Sequence, residues 1–209
     1  MNFSTFVELA PSSLCAQGGG SLVYNHPDFD NILLKVPKKQ GRVKFKKRIS
    51  TLFRPSKRRF GAYREWHTEY EEYLAAIHKM GHCPDFLPRY LGFVNTNLGT
   101  AMMVEKSHDA GSENIALTLA SFIGGADRGV VTDLLDDFFA KIKRHQIVFR
   151  DLHPGNLCVI KDAAGTPVNI TCVDGLGDFT LFRVRVWSKL AYNIWHQHER
   201  KRLLKVMAG

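Results

Sequence analysis

The stretch that decides the fold is HQIVFRDLHPGNLCVI, residues 145–160. It places Arg-Asp, a His-Pro-Gly turn and an asparagine between two apolar runs. An ordinary surface loop accepts any of the common turn residues. Asp151 and Asn156 are five residues apart and are flanked by β-prone runs. We therefore interpret them as side chains directed at a ligand.

The composition predicts a cytoplasmic protein. The chain has 209 residues, enough for one generous domain or two small lobes. No apolar run approaches the roughly 18 residues needed to cross a bilayer, and the N-terminal MNFSTFVELAPSS has no basic region ahead of an apolar stretch. The four cysteines are scattered, which favours thiols in a reducing compartment over disulfides or zinc.

The charge predicts an anionic partner. The formal net charge is +9, which suits a nucleotide, a nucleic acid, a phospholipid headgroup or an acidic glycan. Residues 38–64 carry 12 of the cations and no acid. This segment is either a solvated connector or, since large apolar residues interleave with the cations, an amphipathic helix on an anionic membrane surface or a phosphorylated glycan. No nucleic-acid-reading motif accompanies the charge, so a nucleic acid is the less favoured partner.

The first half of the chain reads as strands and one helix. SLVY and NILLKV, on either side of a Pro-Asp turn, predict two antiparallel strands. Helical spacing of apolar residues predicts a helix in YREWHTEYEEYLAAIHKM. A hairpin that turns at Asn-Thr-Asn-Leu-Gly is predicted in FLPRYLGFVNTNLGTAMMVEK. The helix residues expected to share one apolar face are Trp66, Tyr70, Tyr73, Leu74 and Ile77.

The second half begins with a helix in VTDLLDDFFAKIKRHQ, for which Thr132 is a plausible N-cap with acids in the first turn. The quoted stretch, the run VNITCVDGLGDFTLF and a basic helix follow. The chain is thus predicted to be a single α+β domain. Its β-rich N-lobe covers about residues 1–106, with the basic insert 38–64, and a shortened helical C-lobe covers about 107–209.

The polar residues occur in an order that indicates phosphoryl transfer. Each has a simpler explanation alone: a flexible glycine turn, a lysine at a strand edge, the solvent face of a helix for Glu65, Glu69 and Glu72, an ordinary Asp-Gly turn. Together they match the parts of a kinase-type site that binds ATP and Mg²⁺. The parts, in chain order, are the turn Gly18, Gly19 and Gly20; Lys35 in a strand; acids on the next helix; Asp151 and Asn156; and Asp174 after a strand.

RDLHPGN resembles the catalytic loop of the protein-kinase-like superfamily, in the form found in aminoglycoside and choline kinase-type phosphotransferases. The chain more closely resembles the bacterial YrbL family of PhoP regulatory network proteins, over roughly residues 10–200. The segments that carry this resemblance are NILLKV, EYEEYL, FLPRYLGFV, VDGLGDFTLF and VWSKL. The resemblance implies that Lys35 holds the α- and β-phosphates and Glu69 pairs with it. It also implies a catalytic base at Asp151 and Mg²⁺ ligands at Asn156 and Asp174. We include Glu105, at the end of the predicted hairpin, among the nucleotide-binding residues.

Several positions depart from the protein-kinase pattern. GGGSLVY lacks the full Gly-x-Gly-x-x-Gly spacing, Phe149 replaces the usual histidine, and His153 stands where protein kinases place a lysine. DGLGD replaces Asp-Phe-Gly, and only 35 residues follow Asp174, too few for the large peptide-binding subdomain. Arg150 keeps the option of a structural ion pair. His153 is either an acid–base group or a brace for its loop, and Asp178 is either a second metal ligand or a loop residue.

The predicted function is ATP- and Mg²⁺-dependent phosphoryl transfer to a hydroxyl of a small molecule or glycan. The alternative is a non-catalytic kinase-like module that binds a nucleotide for regulation. The presence of every key polar residue favours the enzyme, whereas the shortened C-lobe favours the module. Association with the inner face of the membrane through residues 38–64 is compatible with either.

Overall fold

The structure of the chain is a computed structural model that describes residues 6–38, 59–178 and 184–208. These residues fall into two compact units, one within Met1–His67 and Arg89–Lys106, the other within Thr68–Pro88 and Ser107–Gly209. Six strands form one sheet, and two more form a small sheet. The class is therefore α+β, as predicted, and this architecture is consistent with a kinase-like fold. The amphipathic helix hypothesised within residues 38–64 falls mainly on residues 39–58, outside the described residues.

The sheet belongs to the first unit. Its strands are β1 (Phe6–Val7), β2 (Leu14–Gln17), β3 (Ser21–Asn25), β4 (Ile32–Pro37), β5 (Tyr90–Thr96) and β6 (Gly99–Glu105), in the spatial order β1-β5-β6-β4-β3-β2. The two predicted hairpins are confirmed: β3 pairs antiparallel with β4, and β5 with β6. The second turn closes at Gly99, whose φ of +112° suits glycine, and Thr96 Oγ1 donates to the Gly99 carbonyl at 2.6 Å.

Strand β1 was not predicted from the sequence because it is two residues long and pairs with β5, which is distant in the chain. It runs parallel to β5, with Phe6 opposite Asn95. Asn97 fixes this approach, since its side chain accepts from Leu9 N at 2.9 Å and donates to Leu9 O at 3.1 Å. The core behind the sheet is aliphatic apart from one tyrosine and comprises Val7, Leu9, Tyr24, Leu34, Val36, Val94 and Ala101.

The predicted helix after the basic segment is confirmed as α1 (Arg64–Met80), but its predicted apolar face is partly wrong. Trp66 and Tyr73 are buried, whereas Leu74 is 58% exposed. The interpretation of Glu69 and Glu72 as part of a solvent face is also wrong, because both are buried. Buried carboxylates require partners, and these are described with the site below.

The second unit contains α2 (Arg128–Arg144), the hairpin of β7 (Leu157–Lys161) and β8 (Pro167–Cys172), and the helices α3 (Val184–Trp187) and α4 (Lys189–Ala208). The prediction that Thr132 caps α2 is wrong. Asp127 occupies the N-cap, the first turn holds no acid, and Thr132 Oγ1 donates to Arg128 O at 2.7 Å inside the helix. The helix therefore begins at Arg128, more than one turn before the start predicted from the sequence.

Helices α2 and α4 pack through aromatic groups with polar ends. Tyr192 donates its hydroxyl to Ile142 O at 2.7 Å, and His196 Nε2 contacts Phe139 O at 2.9 Å. At the edge of this contact, Arg200 makes two hydrogen bonds of 2.9 Å to Asp136. In the described part of the chain, no helix is both long and apolar enough to cross a membrane.

Candidate functional site

The predicted catalytic loop runs beside the Asp174 segment in the second unit. Phe149 and Leu176 form an antiparallel bridge. Arg150 N donates to Gly175 O at 2.8 Å, and Gly177 N donates to Val148 O at 2.8 Å. Backbone hydrogen bonds therefore hold the two segments in a defined register, independently of their side chains.

This register brings three of the predicted site residues together. Asn156 Nδ2 donates to Asp151 O at 3.1 Å, and Val173 N donates to Asn156 O at 2.9 Å, so Asp174 follows directly from a residue bonded to Asn156. The Asp151 side chain is 60% exposed and therefore accessible from solvent. Asp151, Asn156 and Asp174 thus lie in one small region.

Two glycines of DGLGD allow this close approach. Gly175 has φ +88°, and a Cβ on it would lie 2.4 Å from Asp151 O and 3.3 Å from Asn156 Nδ2. Gly177 has φ +94°, and its Cβ would lie 2.5 Å from Thr68 Cγ2. A side chain at either position would be strained in φ and would collide with its neighbours. The spacing that replaces Asp-Phe-Gly is therefore a steric requirement of this loop.

Arg150 joins the loop to two carboxylates. Its Nη2 lies 3.1 Å from Glu69 Oε1 and 3.4 Å from Asp174 Oδ1. The Glu69 side chain is only 3% exposed, so this guanidinium compensates much of the unfavourable burial of the carboxylate. Asp174 Oδ1 also accepts from Gly175 N at 2.7 Å. The structural ion pair expected of Arg150 is thus present, with partners that the sequence did not indicate.

Glu72 supports the segment that precedes the loop. Its Oε1 accepts a hydrogen bond from Val148 N at 2.9 Å. Burial raises the pKa of the Glu72 carboxyl, although the bond from Val148 and the nearby Lys79 partly oppose this shift. Glu69 and Glu72 together therefore connect one face of α1 to residues 148–150.

His153 acts within its own loop. Gly155 N donates to His153 Nδ1 at 3.0 Å, which caps the short turn Pro154–Asn156. Its Nε2 lies 3.9 Å from Asp151 Oδ2, beyond hydrogen-bond distance. The geometry supports the interpretation of His153 as a brace.

Asp178 also has a structural partner. Arg185 binds it through two hydrogen bonds of 3.1 and 2.6 Å and donates to Phe149 O at 3.0 Å. This pairing favours the loop role over metal binding for Asp178. A second arginine, Arg202, donates to Leu152 O inside the predicted catalytic loop. Sequence analysis missed both arginines, since the cations on α3 and α4 carry no signal of such a target in the sequence.

The remaining predicted residues lie in the first unit. Gly18, Gly19 and Gly20 join β2 to β3, and Gly18 N donates to Ser21 O at 3.0 Å. A Cβ on Gly20 would lie 2.2 Å from Glu65 Oε2, so glycine is required unless Glu65 moves. Lys35 is buried in β4 opposite Met102 of β6, and Glu105 lies 3.5 Å from Arg89. The pairing of Lys35 with Glu69 stays a prediction.

The chemistry of Asn156 and Asp174 fits Mg²⁺. They offer an amide and a carboxylate oxygen, which are the hard ligands that this ion prefers. Because the Asn156 amide nitrogen donates to Asp151 O, its amide oxygen is directed away from that carbonyl. The part of the chain that the structure describes has no cluster of three or more histidine, cysteine or acidic residues suited to a metal.

Comparison with protein families identifies a family for the chain. The family model described as PhoP regulatory network protein YrbL matches residues 7–208. Among curated proteins, none matches the chain. The matched range includes every residue placed in the candidate site.

Proposed function

We propose that this chain, which belongs to the PhoP regulatory network protein YrbL family, is a kinase-like phosphotransferase that transfers the γ-phosphoryl group of ATP to a hydroxyl. The observation that carries the proposal is the loop geometry that brings Asp151, Asn156 and Asp174 together. An exposed carboxylate beside an amide and a second carboxylate is the arrangement that such chemistry needs.

In this proposal Asp151 orients the acceptor. Its carboxylate accepts a hydrogen bond from the acceptor hydroxyl and takes the proton as the oxygen attacks the γ-phosphorus. The bond to the bridging oxygen breaks, and ADP leaves. The exposure of Asp151 supports a small molecule or glycan as acceptor.

Nucleotide binding in this proposal uses the residues that the family resemblance implies. Lys35 and the backbone of Gly18, Gly19 and Gly20 bind the phosphates, Glu105 contacts the nucleotide, and Glu69 supports Lys35. Asn156 and Asp174 hold Mg²⁺, which neutralises charge on the phosphates when bound. The proposed location is the cytoplasm, with residues 38–64 available to an anionic membrane surface.

The alternative proposal is a regulatory module that binds nucleotide without turnover. The contacts of Arg150 favour it, because one guanidinium contacts both Glu69 and Asp174. Those are two of the carboxylates that the enzyme uses. A site in which Arg150 keeps both contacts would bind a nucleotide without assembling the phosphoryl-transfer arrangement.

The two proposals are separated by comparing Asp174→Asn and Asp151→Ala with Asp133→Asn, a control at an exposed carboxylate on α2. Calorimetry with ATP and Mg²⁺ should show weaker binding only for Asp174→Asn. With γ-labelled ATP and a cell extract as acceptor source, Asp151→Ala should lower transfer by about 10²–10⁴-fold while keeping nucleotide affinity, because Asn156 contacts only the backbone of Asp151.

Binding without transfer by the parent protein would support the regulatory module. Equal affinity for ATP with Mg²⁺ in Asp174→Asn and in the parent would remove the metal assignment. Absence of any nucleotide binding by the parent would contradict both proposals.

A further inference from the structure

The outward side of the C-terminal helix carries large apolar residues that nothing covers among the described residues. Helix α4 buries Tyr192, His196, Leu203 and Met207 on one side. Residues at 190, 194, 201 and 205 fall on the opposite side of a helix with 3.6 residues per turn. Ser188 N bonds to Val184 O, and Tyr192 N bonds to Ser188 O, so Trp187 continues the same line. We call this row the outer face, and its members are Trp187, Leu190, Ile194, Lys201 and Lys205.

The first half of the outer face is apolar and highly exposed. Trp187 is 78% exposed, Leu190 71% and Ile194 62%. Single exposed apolar residues are ordinary on a protein surface, but three in one row, one of them a tryptophan, form a patch of the kind used for binding. Because the opposite side of the helix is already buried against its own unit, this row is not required for the fold.

The second half of the outer face is cationic. Lys201 and Lys205 are exposed, and the row contains no acid. The acid of this helix, Glu199, is largely buried and paired, with Arg202 at 2.5 Å and His198 at 3.2 Å from its carboxylate. The charge of the row therefore favours an anionic partner.

We propose that the outer face of α4 docks on an anionic lipid membrane. The row follows one side of α3 and α4 and extends about 27 Å at 1.5 Å per residue, so a planar surface can contact its members together. Tryptophan is favoured at the headgroup region, leucine and isoleucine enter the acyl boundary, and lysines bind anionic headgroups. This inference is independent of the phosphotransferase proposal and uses residues outside segment 38–64.

A second copy of the chain fits this face poorly. Two outer faces packed antiparallel would set the apolar half of one against the cationic half of the other. Two faces packed parallel would place lysine against lysine, which is repulsive. A lipid surface has no such conflict, since its apolar and anionic layers are available along the whole row.

The test is co-sedimentation of the full chain with vesicles of phosphatidylcholine alone and of phosphatidylcholine mixed with phosphatidylserine, at low and high salt. We expect the parent to bind the mixed vesicles and to bind less at high salt. Replacing Trp187, Leu190 and Ile194 together by serine should weaken binding by about tenfold or more. Lys201→Gln with Lys205→Gln should weaken binding only at low salt.

Two matched controls keep the test specific. Leu74→Ser removes an exposed leucine from α1, and Lys143→Gln with Arg144→Gln removes two exposed cations from α2; neither should change binding. Circular dichroism checks that each variant keeps the parent fold. The proposal is overturned if the parent ignores anionic vesicles, if the serine variant binds as the parent does, or if the controls weaken binding equally. A concentration-dependent dimer abolished by the serine substitutions, without vesicle binding, would identify a second copy as the occupant instead.

Discussion

Gly175 shows how one position controls the candidate site. It combines a left-handed φ with a position at which a Cβ would lie 2.4 Å from Asp151 O and 3.3 Å from Asn156 Nδ2. Its own carbonyl accepts from Arg150 N, and its N–H binds the Asp174 carboxylate. The backbone of Gly175 therefore joins the Asp174 carboxylate to the loop that begins at Arg150, and the residue must lack a side chain to fit there.

Replacement of Gly175 by alanine should lower the free energy of unfolding by at least about 2 kcal/mol, from φ strain together with a collision. Gly165→Ala is the matched control, because Gly165 has φ +83° but no atom within 4 Å of the position that a Cβ would occupy. In that control the free energy of unfolding should fall only by the φ strain, about 1 kcal/mol. Urea denaturation of both variants measures the difference, and equal losses would contradict the steric role.

The contact between α2 and α4 depends on polar atoms in an apolar seam. Tyr192 and His196 stack at 5.9 Å, and His196 meets Phe139 edge-on at 5.4 Å. Each ring satisfies one carbonyl near the end of α2. Because a carbonyl only accepts, the His196 Nε2 atom carries a proton and donates. These two hydrogen bonds thus favour one position of α4 along α2.

Burial lowers the pKa of His196 below its ordinary value of 6.5, helped by Lys143 and Arg200 and opposed by the bond to Phe139 O. The unfolded chain therefore takes up a proton at a higher pH than the folded chain. The free energy of unfolding should fall as the pH drops through about 6.5 and stop falling below the lowered pKa. His196→Gln should reduce this slope, and His198→Gln, an exposed control on the same helix, should not. Urea denaturation across this pH range measures it, and parallel slopes in all three proteins would exclude His196 as the source.

The second unit is discontinuous in sequence. Residues 68–88 belong to it together with residues 107–209. Phe86 is buried and packs edge-on against Phe138 at 6.1 Å, and its carbonyl accepts from Cys172 N at 3.0 Å. Glu69 and Glu72 add the contacts to residues 148 and 150. The C-terminal half therefore depends on a segment that precedes the hairpin of the first unit.

This organisation predicts that the fragment 107–209 does not unfold cooperatively. It lacks Phe86 and both buried acids, which leaves Phe138 uncovered and Arg150 without Glu69. The longer fragment 64–209 restores them and should regain a cooperative transition. Circular dichroism during urea titration compares the two fragments, and a cooperative transition of 107–209 equal to that of 64–209 would contradict the prediction.

Local sequence patterns were sufficient for most elements of the fold. Alternating and β-branched runs around Pro-Asp and Asn-Leu-Gly turns specified the two hairpins of the sheet, and helical spacing specified α1. The predicted start of α2 was wrong because several residues near it are acceptable caps. The choice among them depends on the path of the preceding chain. Strand β1 was not predicted because parallel pairing over two residues leaves no periodic pattern in the sequence.

For the candidate site, sequence alone was sufficient for the chemical types: an aspartate and an asparagine five apart, an aspartate after a strand, and glycines where the backbone must turn. Those depend on local spacing and on the conformational freedom of glycine. Only the tertiary structure decided which carboxylates are buried and which cation compensates them. Glu69, Glu71 and Glu72 look alike in sequence, yet Glu69 binds Arg150, Glu72 binds Val148 N, and Glu71 is exposed. Burial of a helix face is set by the residues that pack against it, and here those residues lie about 80 positions further along the chain.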